Sequence, residues 1–324
     1  MSTVFESVSR RPVGVVGAGS IGRAFALLFA ARGHSVRVFE PDEEQRRATP
    51  ALIRATLEDL NAYGLIDAAP DDLAARIVYT GDLAEAVGDA AYVQECAPED
   101  LSLKRTLFDQ MASLAPDDCV LASSSSAMPV SEFATGLPGA QRCLVAHPGN
   151  PPYLIRVIEL VPAPFTSQQI IDQAKSFLSG AGLVPVHVRQ EVTGFVFNRL
   201  QGAVLREAYC LVRDGVASVE DIDRVMRDGL GLRWSVVGPF ETVDLNTRGG
   251  IRAHAERLGP AYARMGAERG QDDPWTEEMV AEVETARRRL MPLEDWQARC
   301  AWRDRQLMAL LAERKRRTDA KNET

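Results

Sequence analysis

Val13-Gly14-Val15-Val16-Gly17-Ala18-Gly19-Ser20-Ile21-Gly22 is the stretch on which the fold turns. Val13–Val16 is a short run, apolar enough for a strand buried on both faces. Glycines follow at once, and residues 23–32 then read as a helix rich in Ala, Leu and Phe. Gly33 closes that helix, Val36–Phe39 supplies the next strand, and Glu40 and Pro41 end it. Strand, glycine turn, helix and strand within about 30 residues make a βαβ unit.

The alternation continues outward from there. The pattern predicts helices over 43–63, 101–114 and 167–181, and strands at 77–79, 92–95, 120–122, 143–146, 158–160 and 184–188. That is the pattern of an α/β protein with a Rossmann-type doubly wound sheet. Near Gln190 the character changes. Residues 194–214, 219–228, 275–289 and 293–317 read as helices, and no convincing strand follows. We therefore expect a dinucleotide-binding domain over 1–190 and a second, all-α C-terminal domain over 191–324.

The glycines have separate physical tasks. Gly17 permits a tight turn off the strand, Gly19 lets backbone approach a pyrophosphate, and Gly22 lets the helix pack close to the sheet. The helix start at Ser20 and Ile21 offers free N–H groups and a positive dipole end to phosphates. Glu40 stands at the end of the second strand, 18 residues past Gly22. An acid there accepts hydrogen bonds from ribose hydroxyls and repels a 2′-phosphate, which favours NAD over NADP. Arg37, on the same strand, is the feature that would tolerate a phosphate.

Composition excludes several classes. At 324 residues, 46% hydrophobic and 25% charged, the chain is neither disordered throughout nor short of core, and its mean hydropathy is −0.13. The apolar run over 24–31 is far short of the ~20 residues needed to cross a bilayer. A net charge of −8, with one basic cluster at 314–317, leaves no footprint for nucleic acid. Cys96, Cys119, Cys143, Cys210 and Cys300 are scattered and make no CxxC, which suggests neither a disulfide framework nor a zinc site. The first nine residues lack the features of a signal peptide, so a cytoplasmic, reduced protein is expected.

Of the four histidines, His34, His187 and His254 read as structural or solvent-facing. His147 differs. It follows an apolar strand and opens His147-Pro148-Gly149-Asn150-Pro151-Pro152-Tyr153, where carboxyl ends of strands line the ligand crevice. Imidazole is well matched to proton transfer near neutral pH. Glu159 sits within Val157-Ile158-Glu159-Leu160-Val161, where a lone carboxylate is costly to bury unless paired. Pairing with His147 would fix the imidazole tautomer. The residues alone leave open a satisfied core histidine beside an unrelated acid.

Together these stretches resemble the 3-hydroxyacyl-CoA dehydrogenase superfamily, and within it the L-gulonate 3-dehydrogenase and lambda-crystallin branch. The similarity runs through Val16–Gly22, Gln94-Glu95-Cys96-Ala97-Pro98-Glu99, Leu121-Ala122-Ser123-Ser124-Ser125-Ser126 and the His147 segment. It continues through Val192-Thr193-Gly194-Phe195-Val196-Phe197-Asn198-Arg199-Leu200-Gln201, Gly229-Leu230-Gly231-Leu232-Arg233-Trp234, Gly238-Pro239-Phe240-Glu241-Thr242 and Trp302-Arg303-Asp304.

The resemblance implies roles. His147 is the general base for the hydroxyl proton, Glu159 orients it, and Ser126 and Asn198 hydrogen-bond the reacting oxygen. Asn150 belongs to the substrate-facing set, and Glu99 and Lys104 match positions lining the cofactor. It also implies a homodimer made through the helical domain and an active site between domains. Arg233 is our candidate for a substrate carboxylate, because its planar fork suits one; capping a helix or pairing with an acid is the alternative. The expected substrate is a small hydroxy-carboxylate, oxidised as an L-3-hydroxy acid to the 3-oxo acid. A 3-hydroxyacyl-CoA substrate, a carnitine-type substrate, and a non-catalytic NAD-binding structural role are the competing expectations. Gly149 and Arg156 stand where the gulonate branch tends to have valine and proline, which puts gulonate itself in doubt.

Overall fold

The computed structural model describes residues 11–270 and 276–296, with Ala298, Arg299, Trp302 and Glu313 beyond them. Trp275, Cys300, Arg303, Asp304, the basic cluster 314–317 and most of the expected helix 293–317 lie outside the described residues. The chain divides into two compact units, one ending at Leu205 and the other beginning at Arg206.

The first unit alternates strand and helix. β1 (Val13–Val16), α1 (Ser20–Ala31), β2 (Val36–Phe39), α2 (Glu43–Ala62), α3 (Pro70–Ala74) and β3 (Ile77–Thr80) form its first half. α4 (Leu83–Val87), β4 (Tyr92–Glu95), α5 (Leu101–Leu114), β5 (Val120–Ser123), α6 (Val130–Ala134) and β6 (Cys143–Pro148) follow. β7 (Val157–Pro162), α7 (Gln168–Gly180) and β8 (Val184–His187) complete the sheet, and α8 (Phe197–Arg213) leads on. Strand order is β3-β2-β1-β4-β5-β6-β7-β8, with every neighbouring pair parallel except β6 and β7. The order reverses between β1 and β4, and such a switch point leaves a crevice beyond the strand ends.

Side chains alternate between two cores, one on each face. Val15 and Tyr92 belong to the cluster around Phe25, Phe29 and Leu57; Val16 and Val93 belong to the one around Phe108, Met111 and Phe133. Each such fully buried side chain contributes roughly 1.5–3 kcal/mol relative to exposure. β1, β4, β5 and β6 are buried along their whole length, whereas the edge strand β8 is largely exposed. Helix starts follow local chemistry: Asp42 caps α2 through Gln45 N, and Asp100 caps α5 through Leu103 N, both at 2.7 Å.

Several boundaries differ from the sequence pattern. β6 runs on through His147 and Pro148, because its antiparallel ladder with β7 extends to the Pro148–Ile158 pair. His147 is thus inside the strand, directly opposite Glu159. The helix expected from 194 starts at Phe197, since Gly194 and Phe195 take left-handed backbone (φ +77° and +47°). The expected helix 219–228 is α9 (Val219–Arg224) followed by a π-helical turn, Val225–Leu230, and α10 (Gly231–Trp234). Gly231 N–H reaches back to Met226 O, and a Cβ at Gly231 would stand 2.7 Å from that oxygen. Only glycine leaves room for this wider turn.

The second unit is helical, and no strand occurs among its described residues. α11 (Pro239–Asn246), α12 (Gly250–Glu268) and α13 (Glu277–Leu290) follow α10. Fully buried Asp244 joins them, accepting Ile251 N at 3.0 Å and pairing with Arg288. The unit division falls inside α8, later than the point near Glu191 where strands cease, because the first turn of α8 is tied to β7.

Candidate active site

The glycine turn has the shape that a dinucleotide requires. Gly17 has φ +100°, and a Cβ there would meet Cys96 O at 2.9 Å. A Cβ at Gly22 would collide with Gly17 O at 1.9 Å, so α1 packs onto the turn only because that position is glycine. Gly19 has nothing within 4 Å of such a Cβ and presents an open face. Ser20, Ile21 and Gly22 begin α1, and first-turn N–H groups have no carbonyl partner within their own helix.

Glu40 is buried beside this turn. Its Oε2 accepts Ala18 N at 2.9 Å and Gln45 Nε2 at 2.8 Å, and its Oε1 accepts Asp42 N at 3.1 Å. The acid therefore clamps the end of β2 to the glycine turn. Arg37 does not supply the phosphate-tolerant cation that its place on β2 suggested. It pairs with Asp89 and donates to Glu85 O. Arg46 donates to the carbonyls of Glu40 and Pro41.

Beyond β4, Lys104 makes a buried ion pair. Lys104 and Glu95 are 1% and 0% exposed, and Lys104 Nζ lies 2.9 and 3.0 Å from the two Glu95 oxygens. Ala97 N and Ser123 Oγ also donate to Glu95, at 2.7 and 2.5 Å. Lys104 is thus a buried support under the 96–99 loop, its charge taken by an acid that the sequence reading left without a role. The signal for Glu95 was an acid in an apolar strand, the same signal that singled out Glu159. Glu99 directs both oxygens at the serine loop, accepting Ser125 Oγ at 2.9 Å and Ser126 N at 2.5 Å. It thereby holds the loop that carries Ser126.

His147 and Glu159 meet. As cross-strand partners on β6 and β7, they place His147 Nδ1 2.8 Å from Glu159 Oε2, both side chains buried. The other carboxylate oxygen accepts Val196 N at 2.8 Å and Phe197 N at 2.9 Å. Burial pushes the Glu159 carboxyl up, but the His147 hydrogen bond and those two backbone donors outweigh it, and its pKa lies below the ordinary value. An ionised Glu159 accepts a hydrogen bond from Nδ1–H, which leaves Nε2 as the basic nitrogen. The rings of Phe195 and Phe197 flank the imidazole, with centroids at 5.6 and 6.3 Å. Phe195, which the sequence reading gave no role, is fully buried and is the one non-glycine residue with positive φ among those described.

Asn198 Nδ2 donates to Ser126 O at 2.9 Å, so the start of α8 is also bound to the serine loop. Two sets of hydrogen bonds, His147–Glu159 and Asn198–Ser126–Glu99, thus meet at the start of α8. Asn150 is exposed, three residues past His147. Arg233 is described within the second unit, on α10. Its Nε is buried without a hydrogen-bond partner and it lines a cavity of about 350 Å³ with Val225, Gly229, Leu230 and Leu232. Among the described residues no group of His, Cys, Asp or Glu is placed to hold a metal ion, and no helix is long and apolar enough to cross a membrane.

Comparison with known proteins identifies the lineage. Residues 12–192 match the NAD-binding domain of 3-hydroxyacyl-CoA dehydrogenase, and residues 194–290 match that enzyme's C-terminal domain. The lambda-crystallin homolog of Bos taurus is 41% identical over 304 residues, covering 92% of this chain and 94% of its own. The L-carnitine dehydrogenase of Streptomyces griseus is 38% identical, covering 85% of this chain and 79% of its own. The crystal structure of M. tuberculosis FadB2 superposes with a TM-score of 0.65 at 30% identity, over 78% of this chain and 88% of that one. The chain belongs to the 3-hydroxyacyl-CoA dehydrogenase family of NAD-dependent oxidoreductases, and its Gly17–Gly22 turn with Glu40 fits that cofactor.

Proposed function

We propose that this protein oxidises the hydroxyl of a small L-3-hydroxy carboxylate to the 3-oxo acid. The observation that carries the reading is the buried 2.8 Å contact between His147 Nδ1 and Glu159 Oε2, which leaves Nε2 to accept a proton. NAD, when bound, supplies the hydride acceptor. His147 Nε2 takes the hydroxyl proton, and Glu159 stabilises the resulting imidazolium. Ser126 and Asn198 act on the reacting oxygen as hydrogen-bond partners, held in place by Glu99. Asn150 is the remaining polar candidate beside the base.

Arg233 supports a free carboxylate over a CoA thioester. Its orphaned Nε beside apolar walls suits a bidentate acid. A π-helical turn forms part of that wall, and such turns are frequent at functional sites. The L-gulonate-like reading rests on the lambda-crystallin relatives; the carnitine reading rests on the carnitine dehydrogenases. The deciding experiment is NADH formation at 340 nm with L-gulonate, L-3-hydroxybutyrate, L-carnitine and 3-hydroxybutyryl-CoA. Turnover of a free acid whose KM rises in Arg233→Ala supports the proposal. Turnover of the thioester alone overturns it, and no NADH from any of the four supports a non-catalytic, crystallin-like NAD-binding role.

The same reading includes a homodimer. Leu205, Tyr209, Val212 and Val216 recur at helical spacing along and just past α8, and all four are exposed. Gel filtration near twice the 35.4 kDa chain mass is expected, and elution at the chain mass removes it. Cys96, Cys119, Cys143 and Cys210 are free thiols, which supports a reducing, cytoplasmic setting.

A further inference from the structure

A cavity of about 270 Å³ lies in the first unit, apart from the glycine turn and the His147–Glu159 pair. It opens where the ends of α1, α2 and α7 meet the connection between β6 and β7. Leu27, Leu28, Leu60 and Tyr153 give it apolar walls, and Arg32, Arg156 and Asp67 stand on its lining. Arg32 caps the C-terminal end of α1, and its guanidinium packs against Gly182. Gly182 has φ +82°, and a Cβ there would stand 2.6 Å from Arg32 Nη2, so a glycine is what makes room for this head group. Neither the Arg32 nor the Arg156 side chain makes an ion pair or hydrogen bond among the described residues.

Two unengaged guanidiniums beside a cleft with part of its lining apolar define a ligand by its chemistry. We propose that this cavity is a second small-molecule site, for a monoanion with a short apolar body, such as an aliphatic carboxylate. The leucines and Tyr153 take the body by removing its apolar surface from water. The two arginines bracket the anion with charge-assisted hydrogen bonds. With Asp67 on the same lining, the three side chains sum to one positive charge, which favours a single negative head group. The site touches the chemistry through the chain itself. Tyr153 and Arg156 sit on the connection that joins β6, which carries His147, to β7, which carries Glu159, and Arg156 O accepts Val184 N at 2.7 Å. A ligand holding Arg156 therefore restrains the segment that joins the two strands carrying the base and its partner.

The test is calorimetric titration of the full-length protein, free of NAD and substrate, with hexanoate and with hexanol as the neutral control. Saturable hexanoate binding is expected, weakened at least ~10-fold by Arg32→Gln with Arg156→Gln, strengthened by Asp67→Asn and unchanged by Arg233→Gln. Both arginines are exposed, so matching melting curves confirm that the double variant is folded. Failure of hexanoate to bind, equal binding of hexanol, or full binding by the double variant each overturns the site. Weakening by Arg233→Gln alone would assign the binding to the proposed substrate region and likewise overturn it.

Discussion

Phe197 donates its backbone N–H to Glu159 Oε1 at 2.9 Å, while the other oxygen of the same carboxylate holds His147 at 2.8 Å. Glu159 therefore serves two structures at once. It caps the first turn of α8, whose leading N–H groups have no partner of their own, and it orients the imidazole. The left-handed pair Gly194–Phe195 turns the chain so that the donors of Val196 and Phe197 converge on one oxygen.

Substitution of the base separates chemistry from binding. His147→Gln is expected to lower kcat by ~10²-fold or more while leaving the NAD dissociation constant unchanged, because a general base acts only on the reacting proton. Stopped-flow turnover and fluorescence titration measure the two. A parallel loss of NAD affinity would assign His147 to the fold.

Glu159 also carries a pH dependence. Its folded-state pKa lies below the ordinary 4.5, so its ionised form stabilises the fold fully above that value. The contribution is lost as pH falls through the folded pKa. Urea unfolding of wild type and Glu159→Gln should differ most from pH 5 to 7, with the gap narrowing on acidification below about 4.5. A gap that widens with acid contradicts an ionised, hydrogen-bonded Glu159 in the fold.

Gly194→Ala tests the turn. The added Cβ meets nothing closer than Asn198 Cβ at 3.6 Å, so the penalty comes from the backbone at φ +77°. An L side chain in that region costs about 1–2 kcal/mol. Relaxing the turn moves two donors off Glu159, and kcat should fall roughly tenfold with NAD binding preserved. Lowered stability with unaltered kcat would show that the turn does not position the pair.

Lys104→Met leaves Glu95 as a buried charge without its cation. Breaking such a pair costs about 3–5 kcal/mol, whereas replacing both partners costs less. Chemical denaturation should therefore find Glu95→Gln with Lys104→Met more stable than Lys104→Met alone. Equal stability would mean that Ser123 and Ala97 satisfy the carboxylate unaided.

Local sequence determined much of this protein. The valine run, the spacing of Gly17, Gly19 and Gly22, and Glu40 at a strand end specify the βαβ unit, since turn sterics and strand burial act over neighbouring residues. His147 and Glu159 were legible for a related reason: an acid inside an apolar strand needs a partner, and a short connection brings antiparallel strands opposite each other. Only the tertiary structure decided who holds whom across long separations. It turned Lys104 to Glu95, Glu99 to the serine loop, Arg37 to Asp89 and the oxygens of Glu159 to the start of α8. A side chain's type states that it must be satisfied once buried, but the choice among partners depends on distances that exist only after the sheet and helices have packed.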